Sequence, residues 1–334
     1  MWILFDDARE GGAPPRLYRD PVDVIVAREH DQILPALERV RMGLRAGRHA
    51  AGYLAYEAGY AFDPKLGAGA RKSEGPLLCF GLFAEFQMPR LAELLPAPAG
   101  AMVGPVQPRI APAEYAKAVG RVREHLFAGD FYQANLTFGC DVAVAGDPLA
   151  LYARLRRSSM AGWGGVLIHD EGVIVSLSPE QFFTVRHGLL EARPMKGTAR
   201  RRADPTADRA EAEALASDEK QRAENLMIVD LMRNDLARVS VAGSVEVPEL
   251  FAVETYPTVH QMVSRITSRL RAECDAVDVL RTIFPCGSVT GAPKVAAIEA
   301  LTQLEPEPRG AYTGSMGWIE PGGDAAFNVL IRTL

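Results

Sequence analysis

The stretch 205–270 constrains the fold most, because a long amphipathic helix is followed there by a long strand. Near the end of 205–239, apolar residues recur at helical spacing. They are Leu226, Val229, Met232 and Leu236. Over 258–270, apolar and polar residues alternate, as in a strand with one buried face. The other predicted strands and helices come in mixed order without regular βαβ alternation, so we predict an α+β fold rather than a doubly wound parallel sheet.

A connector rich in Ala and Pro, 94–112, divides the chain into two parts. We predict a strand-rich N-terminal sub-domain at 1–105 and a second region at 106–334 that carries the functional motifs. With 334 residues, of which 48% are hydrophobic, the chain can bury a large core. We therefore expect the two parts to pack into one body.

Charge and cysteine content exclude several classes of protein. Lys and Arg total 37 against 42 for Asp and Glu, a net charge of −5, which argues against nucleic acid or an anionic membrane as the main partner. No apolar run reaches transmembrane length. The four cysteines are scattered and form no C-x-x-C pair, so we expect no metal cluster, no disulfide framework and a cytoplasmic location.

Lys196 is the first candidate for chemistry. It stands between Pro194 and Gly197, just past a predicted strand, so the pattern predicts a turn that leaves the amine uncrowded. Such an amine acts as a nucleophile only if its pKa falls from the usual ~10.4. The alternative is a solvated lysine beside the basic run 200–202.

Two other titratable residues are candidates for contact with a substrate. Glu180 lies at a predicted strand end, sixteen residues before Lys196, and a carboxylic acid there could protonate a leaving group. The alternative is a surface turn. His260 lies on the same predicted strand face as Met262 and Ile266, where a histidine is more often a core residue with a satisfied nitrogen.

Glu224 opens the amphipathic part of the predicted helix. Mg²⁺ needs only one or two carboxylates together with substrate oxygens and water, so one helix glutamate can contribute a ligand. The alternative is a solvated helix glutamate.

Two further segments offer groups that bind carboxylates. The segment 287–294 precedes a helix with proline in its first turn, so Thr290 and Gly291 lie near free backbone N–H groups. It lacks the spacing of a phosphate-binding P-loop. The closing hairpin supplies the phenol of Tyr312 and the guanidinium of Arg332, and a guanidinium can hold a carboxylate with two hydrogen bonds.

These motifs occur together in one order. They are PMKGT (194–198), AENLMIVDLMRND (223–235), YPTVHQMVS (256–264), CGSVTGAPK (286–294) and RGAYTGSMG (309–317). The series resembles that of the chorismate-utilising enzymes, which include the large subunits of anthranilate and aminodeoxychorismate synthases and the isochorismate and salicylate synthases. The resemblance runs from about Glu114 to Leu334 and more loosely over the front. It implies a sandwich of two large curved antiparallel sheets, with helices outside and a central cleft.

Two positions discriminate within the family. Members that add water to chorismate carry a lysine as base where this chain has Gln133, and glutamine cannot act as that base. Anthranilate synthases have alanine where this chain has Lys196. The resemblance therefore favours the aminodeoxychorismate synthase branch, in which ammonia adds at C4 of chorismate on the route to 4-aminobenzoate and folate. Anthranilate synthase component I is the alternative.

The resemblance also implies a role for each candidate residue. Lys196 would attack C2 of chorismate while Glu180 protonates the departing C4 hydroxyl, and His260 would hydrogen bond near C4. Glu224 would hold the Mg²⁺ that screens the ring carboxylate. The remaining polar groups of the substrate would be bound by Gln133, Thr290, Gly291, Tyr312 and Arg332.

Ammonia would come from a separate glutamine amidotransferase subunit, and in some relatives a lyase domain follows this region. The family pattern continues beyond Arg332 with a further strand, a Gly-Ala-Gly turn and an acidic stretch with a second Mg²⁺ ligand. This chain ends at Leu334, a truncation of that pattern, and has Gln221 where the family often has an acid. We therefore expect weak binding of Mg²⁺ and chorismate. A scaffold that docks the amidotransferase without catalysis is the alternative from another functional class.

Overall fold

The computed structural model describes residues 1–67, 71 and 73–334. Every pairing between named strands in these residues is antiparallel, and no regular βαβ repeat occurs among them. The predicted α+β class is confirmed.

The strands are β1 (Trp2–Asp6), β2 (Arg16–Arg19), β3 (Asp23–Ala27), β4 (His49–Leu54), β5 (Leu78–Phe83), β6 (Ala101–Pro108), β7 (Gln133–Ala134), β8 (Cys140–Gly146), β9 (Trp163–His169), β10 (Gly172–Ser178), β11 (Gln181–Arg186), β12 (Leu189–Ala192), β13 (Met195–Arg200), β14 (Glu246–Thr255), β15 (Val259–Arg269), β16 (Gly291–Ala292), β17 (Ser315–Ile319) and β18 (Ala325–Asn328).

The α-helices are α1 (His30–Arg45), α2 (Pro64–Gly67), α3 (Leu91–Leu94), α4 (Pro112–Ala128), α5 (Pro148–Ser159), α6 (Pro205–Ser217), α7 (Glu219–Ala237), α8 (Ala276–Ile283) and α9 (Lys294–Leu304). Short 3₁₀ helices cover Tyr56–Ala61, Pro98–Gly100 and Gly287–Val289.

Two large sheets build the body. The smaller has the order β10-β9-β1-β2, and the larger has the order β13-β15-β12-β11-β18-β17-β4-β5-β3, with β14 also paired to β15. One hydrophobic cluster joins them, since it contains Ile3 and Leu167 from the smaller sheet and Phe80 and Phe183 from the larger. Helix α7 adds Val229 and its neighbours to the same cluster. The predicted antiparallel sandwich is confirmed.

The front and back of the chain share the larger sheet. Strand β17, from the C-terminal region, pairs with β4, from the front, over Ser315–Ile319. The core is therefore common to both parts. The boundary near residue 105 stays a prediction.

The helix predicted over 205–239 is two helices. Asp218 breaks it in an extended conformation, and its carboxylate accepts a hydrogen bond from the backbone N–H of Gln221 at 2.8 Å. Aspartate competes for backbone donors in this way and caps the helix that follows. The break gives α7 its own N-terminus, a few residues before Glu224.

The structure also describes the helices and the cysteines that bear on membrane crossing and disulfide bonding. None of the helices in the described residues has the length and apolar character that a membrane crossing requires. All four cysteines are free, as predicted.

Candidate active site

Lys196 lies on β13, at one end of the larger sheet. The pairing of β13 with β15 shifts register between Met195 and Thr198, so Lys196 and Gly197 form a bulge. Gly197 has φ +99°, a left-handed conformation that favours glycine. The predicted turn at Lys196 is therefore a bulged strand, because Gly197 bends the backbone without ending the ladder.

A buried asparagine fixes the backbone at Lys196. The side-chain amide of Asn225, which is fully buried on α7, donates to the Lys196 carbonyl at 3.4 Å. The amide oxygen of Asn225 accepts a hydrogen bond from the Ser264 hydroxyl at 2.6 Å. Helix α7 is thereby joined to both β13 and β15. The sequence reasoning missed Asn225, although it shares a helical face with the buried Ile228 and Val229.

We expect Asn225→Ala to lower the free energy of unfolding by about 1–3 kcal/mol, because it removes the acceptor of the buried Ser264 hydroxyl and a side-chain donor to the Lys196 carbonyl. It should also lower kcat more than it raises KM, since it loosens the backbone that positions Lys196. Asn234→Ala, at an exposed position of α7, is the matched control and should change neither quantity. Denaturant unfolding and steady-state kinetics measure both, and equal effects of the two variants would contradict this role.

Glu180 is a buried carboxyl in the same cluster. Its side chain is 4% exposed, and its Oε1 has no hydrogen-bond partner among the described residues. Burial raises the pKa of Glu180, while a hydrogen bond from Ser288 and the positive charges of Lys196 and Arg332 act in the opposite direction. The structure thus brings Glu180, Lys196 and Arg332 together, with the carboxyl held towards its protonated form.

Gln133 and Gly291 lie on the two strands of a small antiparallel sheet. Ala292 of β16 pairs with Gln133 of β7, and Gly291 pairs with Ala134. A side chain at Gly291 would overlap the Gln133 carbonyl, so this close approach requires glycine. The amide oxygen of Gln133 is buried and has no partner in the described part of the chain, which leaves it free to accept a hydrogen bond.

Thr290 is fully buried between this small sheet and Ser288. Its hydroxyl donates within its own loop, to the carbonyls of Cys286 at 3.2 Å and Gly287 at 3.1 Å. Its backbone carbonyl accepts a hydrogen bond from the N–H of Asn135 at 2.8 Å. The side chain of Thr290 therefore fixes the loop that also carries Ser288, the hydrogen-bond donor to Glu180.

Arg309 ties three loops of the site together. Its guanidinium donates to the carbonyls of Asn135 at 2.7 Å and Val289 at 2.8 Å, and it pairs with Glu305 at 2.6 Å. The guanidinium also lies over the ring of Tyr56, 4.3 Å from its centroid. Both members of the ion pair are almost completely buried. Arg309 holds the segments that carry Gln133, Thr290 and Tyr312 in one arrangement.

We expect Arg309→Met to lower the free energy of unfolding by about 3–5 kcal/mol, because it leaves Glu305 buried without its cation. Arg233→Met is the matched control, since Arg233 makes an exposed pair with Asp230, and it should cost no more than about 1 kcal/mol. Urea unfolding compares the two. A similar small loss for both would show that Arg309 does not organise the loops.

Tyr312 and Arg332 have different surroundings. Tyr312 is 41% exposed. Its pKa is raised, because the effect of partial burial exceeds the opposing effect of the nearby Arg309 charge. Arg332 has φ +52°, and its carbonyl accepts a hydrogen bond from the N–H of Leu177 at 3.1 Å. The positive charge of Arg332 acts on Glu180, whereas Tyr312 belongs to the Arg309 group.

His260 lies on β15, where it pairs with Ala199 of the strand that carries Lys196. One ring nitrogen lies 3.0 Å from the hydroxyl of Thr255, and the other lies 3.0 Å from a carboxylate oxygen of Asp208 on α6. The pKa of Asp208 is lowered, chiefly by Arg201. Both nitrogens of His260 therefore have protein partners in this structure, and its contact with a substrate stays a prediction.

Gln261, next to His260, is a second residue that the sequence reasoning missed. Successive strand residues point to opposite faces. The amide oxygen of Gln261 accepts a hydrogen bond from the hydroxyl of Thr198 at 3.0 Å, on the strand that carries Lys196. Gln261 therefore joins β15 to the strand that carries Lys196.

Comparison with known proteins identifies the family. The family described as chorismate binding enzyme matches residues 4–334. The chain belongs to the chorismate-binding enzymes. It is 48% identical to aminodeoxychorismate synthase component 1 of Salmonella typhimurium, over 66% of this chain and 49% of that protein. It is 35% identical to anthranilate synthase component 1 of Methanothermobacter thermautotrophicus, over 85% of this chain and 65% of that protein.

A solved structure agrees with this membership. Anthranilate synthase component I from Streptococcus pneumoniae superposes with a TM-score of 0.81 and 25% identity, covering 95% of this chain and 83% of that one. This chorismate-binding enzyme spans about half the length of the aminodeoxychorismate synthase components that it matches.

Glu224 lies on the α7 surface of this chorismate-binding enzyme, next to Asn225. Its side chain is 38% exposed and lies 3.8 Å from the amine of Lys220. The described residues contain no group of three side chains that could hold a metal ion. Because Mg²⁺ is commonly held by one or two carboxylates with water and substrate oxygens, Glu224 fits as a single protein ligand.

Proposed function

We propose that this chain is the chorismate-aminating component of an aminodeoxychorismate synthase, which forms 4-amino-4-deoxychorismate from chorismate and ammonia. The observation that carries the proposal is the pair of Lys196 and Glu180, a lysine beside a buried carboxyl whose pKa is raised. The identity of 46–48% to relatives named aminodeoxychorismate synthase component 1 supports the same assignment.

The first step uses both groups. The neutral amine of Lys196 forms a bond to C2 of chorismate, the two ring double bonds each shift by one position away from C2, and the bond from C4 to its hydroxyl breaks. Glu180 gives its proton to that hydroxyl, which leaves as water. The proton lost by the lysine nitrogen restores the carboxyl. A carboxyl kept neutral by burial suits this donor role.

The second step releases the enzyme. Ammonia forms a bond to C4, the two ring double bonds shift back, and the bond between C2 and the lysine nitrogen breaks. The proton shed by the added nitrogen neutralises the departing lysine amine. Arg332, whose positive charge acts on Glu180, would bind a substrate carboxylate, and the unpartnered amide oxygen of Gln133 would accept a hydrogen bond from a substrate hydroxyl or from ammonia.

A metal ion and a partner complete the proposal. Glu224 would hold Mg²⁺, which supplies positive charge to the ring carboxylate of chorismate. Ammonia would come from a glutamine amidotransferase subunit, in keeping with the name "component 1" of the relatives.

Product analysis tests the assignment. The protein is incubated with chorismate, Mg²⁺ and an ammonium salt, and the product is identified by mass and ultraviolet spectrum. We expect 4-amino-4-deoxychorismate. Anthranilate would instead support the second candidate, anthranilate synthase component I, which the 35% identical relative favours. Absence of turnover would support the docking scaffold.

We expect Glu224→Gln to raise the Mg²⁺ concentration needed for half-maximal activity by about tenfold or more, since one charged ligand is lost. Glu219→Gln, in the first turn of the same helix, is the matched control and should leave the Mg²⁺ dependence unchanged. An unchanged dependence in Glu224→Gln would exclude Glu224 as a ligand.

A further inference from the structure

A cavity separate from the Lys196 site lies where the end of α7 meets α8. It has a volume of about 330 Å³. Three arginines line it, and its other lining residues include a cysteine, a threonine and apolar side chains. The arginines are Arg238, Arg271 and Arg281. Arg238 follows Glu224 by fourteen residues along the same helix, which separates the two by about 21 Å at 1.5 Å per residue.

The lining residues that the structure describes include three arginines and one acidic residue. The guanidiniums of Arg238 and Arg281 make no hydrogen bond or ion pair within the described residues. The acid that lines the cavity, Asp278, is already engaged by the guanidinium of Arg41 at 2.7 Å. Its other carboxylate oxygen accepts the backbone N–H of Asp275 at 3.0 Å. Arg238 and Arg281, both exposed at the cavity wall, therefore carry positive charge without an acidic partner among the described residues, whereas Arg271 pairs with Glu273.

Arg271 also has unused donor capacity. One terminal nitrogen donates to the Arg238 carbonyl at 2.9 Å, and this fixes the guanidinium at the cavity wall. Its Nε is buried and makes no hydrogen bond, although the exposed carboxylate of Glu273 lies 3.3 Å away. Arg271 is thus partly neutralised by Glu273, but its Nε still lacks a well-aligned hydrogen bond, which the oxygen of a bound anion could accept.

We propose that this cavity binds the phosphate group of a small phosphorylated molecule. Guanidinium groups present donors in a planar fork that matches phosphate oxygens, and charge-assisted hydrogen bonds of this kind are strong. Apolar side chains of Leu34 and Phe62 at the wall leave room for an organic part of the ligand. The competing explanation is that Arg238 and Arg281 only complement the negative ends of α7 and α8.

Calorimetric titration with inorganic phosphate, at ionic strength held constant with chloride, tests the proposal. We expect saturable binding of one phosphate, weakened at least about tenfold in the double variant Arg238→Ala/Arg281→Ala. Arg233→Ala, which removes an exposed arginine of α7 outside the cavity, is the matched control and should bind as the unmodified protein does. Thermal unfolding verifies that each variant is folded.

Alkylation locates the bound ion. Cys274 lines the cavity, whereas Cys140 is exposed elsewhere and serves as an internal reference. Phosphate should slow the reaction of iodoacetamide with Cys274 but not with Cys140, as read by peptide mass spectrometry. Absence of saturable binding, equal binding by the folded double variant, or equal protection of both cysteines would overturn the proposal. The competing explanation predicts such results.

Discussion

Lys196→Ala is expected to lower the rate of chorismate amination on the order of 10³-fold or more, because the covalent step loses its nucleophile. The fold should remain intact, since β13 keeps its pairing with β15 and Asn225 bonds the backbone rather than the side chain of Lys196. Steady-state kinetics with ammonium salt as the nitrogen source measures the loss. Thermal unfolding tests that the variant is folded.

Two comparison variants separate the possible roles of Lys196. Lys117→Ala removes an exposed lysine from α4 and should leave the rate unchanged. Lys196→Arg keeps the positive charge near Glu180 but not the nucleophilic amine, so it should be as inactive as Lys196→Ala. Recovery of activity in Lys196→Arg would show that the lysine acts through its charge alone.

Glu180→Gln is expected to lower activity by about 10²–10⁴-fold, because an amide cannot give a proton to the leaving hydroxyl. The same substitution should not lower stability at neutral pH and should raise it as pH increases. The pKa of Glu180 is raised in the folded protein, so ionisation disfavours the folded state once pH rises through that pKa. Glutamine has no charge to bury, and this penalty disappears.

The sign of the effect on stability follows from how the protonation of Glu180 changes with pH. In the unmodified protein, the stability contributed by protonated Glu180 is present at low pH and is lost as pH rises through its folded pKa. Glu246→Gln, at an exposed position of β14, is the matched control and should show neither effect. Denaturant unfolding over a pH series measures the free energy of unfolding of each variant. A Glu180→Gln variant that is less stable than the unmodified protein at alkaline pH would contradict the assignment of a buried neutral carboxyl.

Local periodicity predicted much of the fold. The alternation over 258–270 corresponds to β15, and the apolar spacing near 226–236 corresponds to the buried face of α7. The break at Asp218 was not predicted, because the capping interaction there outweighs an otherwise continuous helical pattern. The bulge at Lys196 depends on pairing with a strand more than sixty residues away, which local sequence does not encode.

The candidate active site likewise contains residues that the sequence motifs predicted and residues that they did not. Glu180, Lys196 and Arg332 were predicted by motif and lie together. His260 lies 3.0 Å from a carboxylate oxygen of Asp208, and its predicted contact with a substrate stays a prediction. Asn225, Gln261 and Ser288 gain their positions only from tertiary contacts, so their types alone did not mark them.

The central claim is that Lys196 forms a covalent bond to the substrate. Intact-protein mass spectrometry after incubation with chorismate and Mg²⁺, without ammonia, tests it most directly. We expect an added mass equal to chorismate less one water, located on Lys196 by peptide mapping and absent from Lys196→Ala. An active preparation that forms no adduct, or an adduct on another residue, would contradict the account.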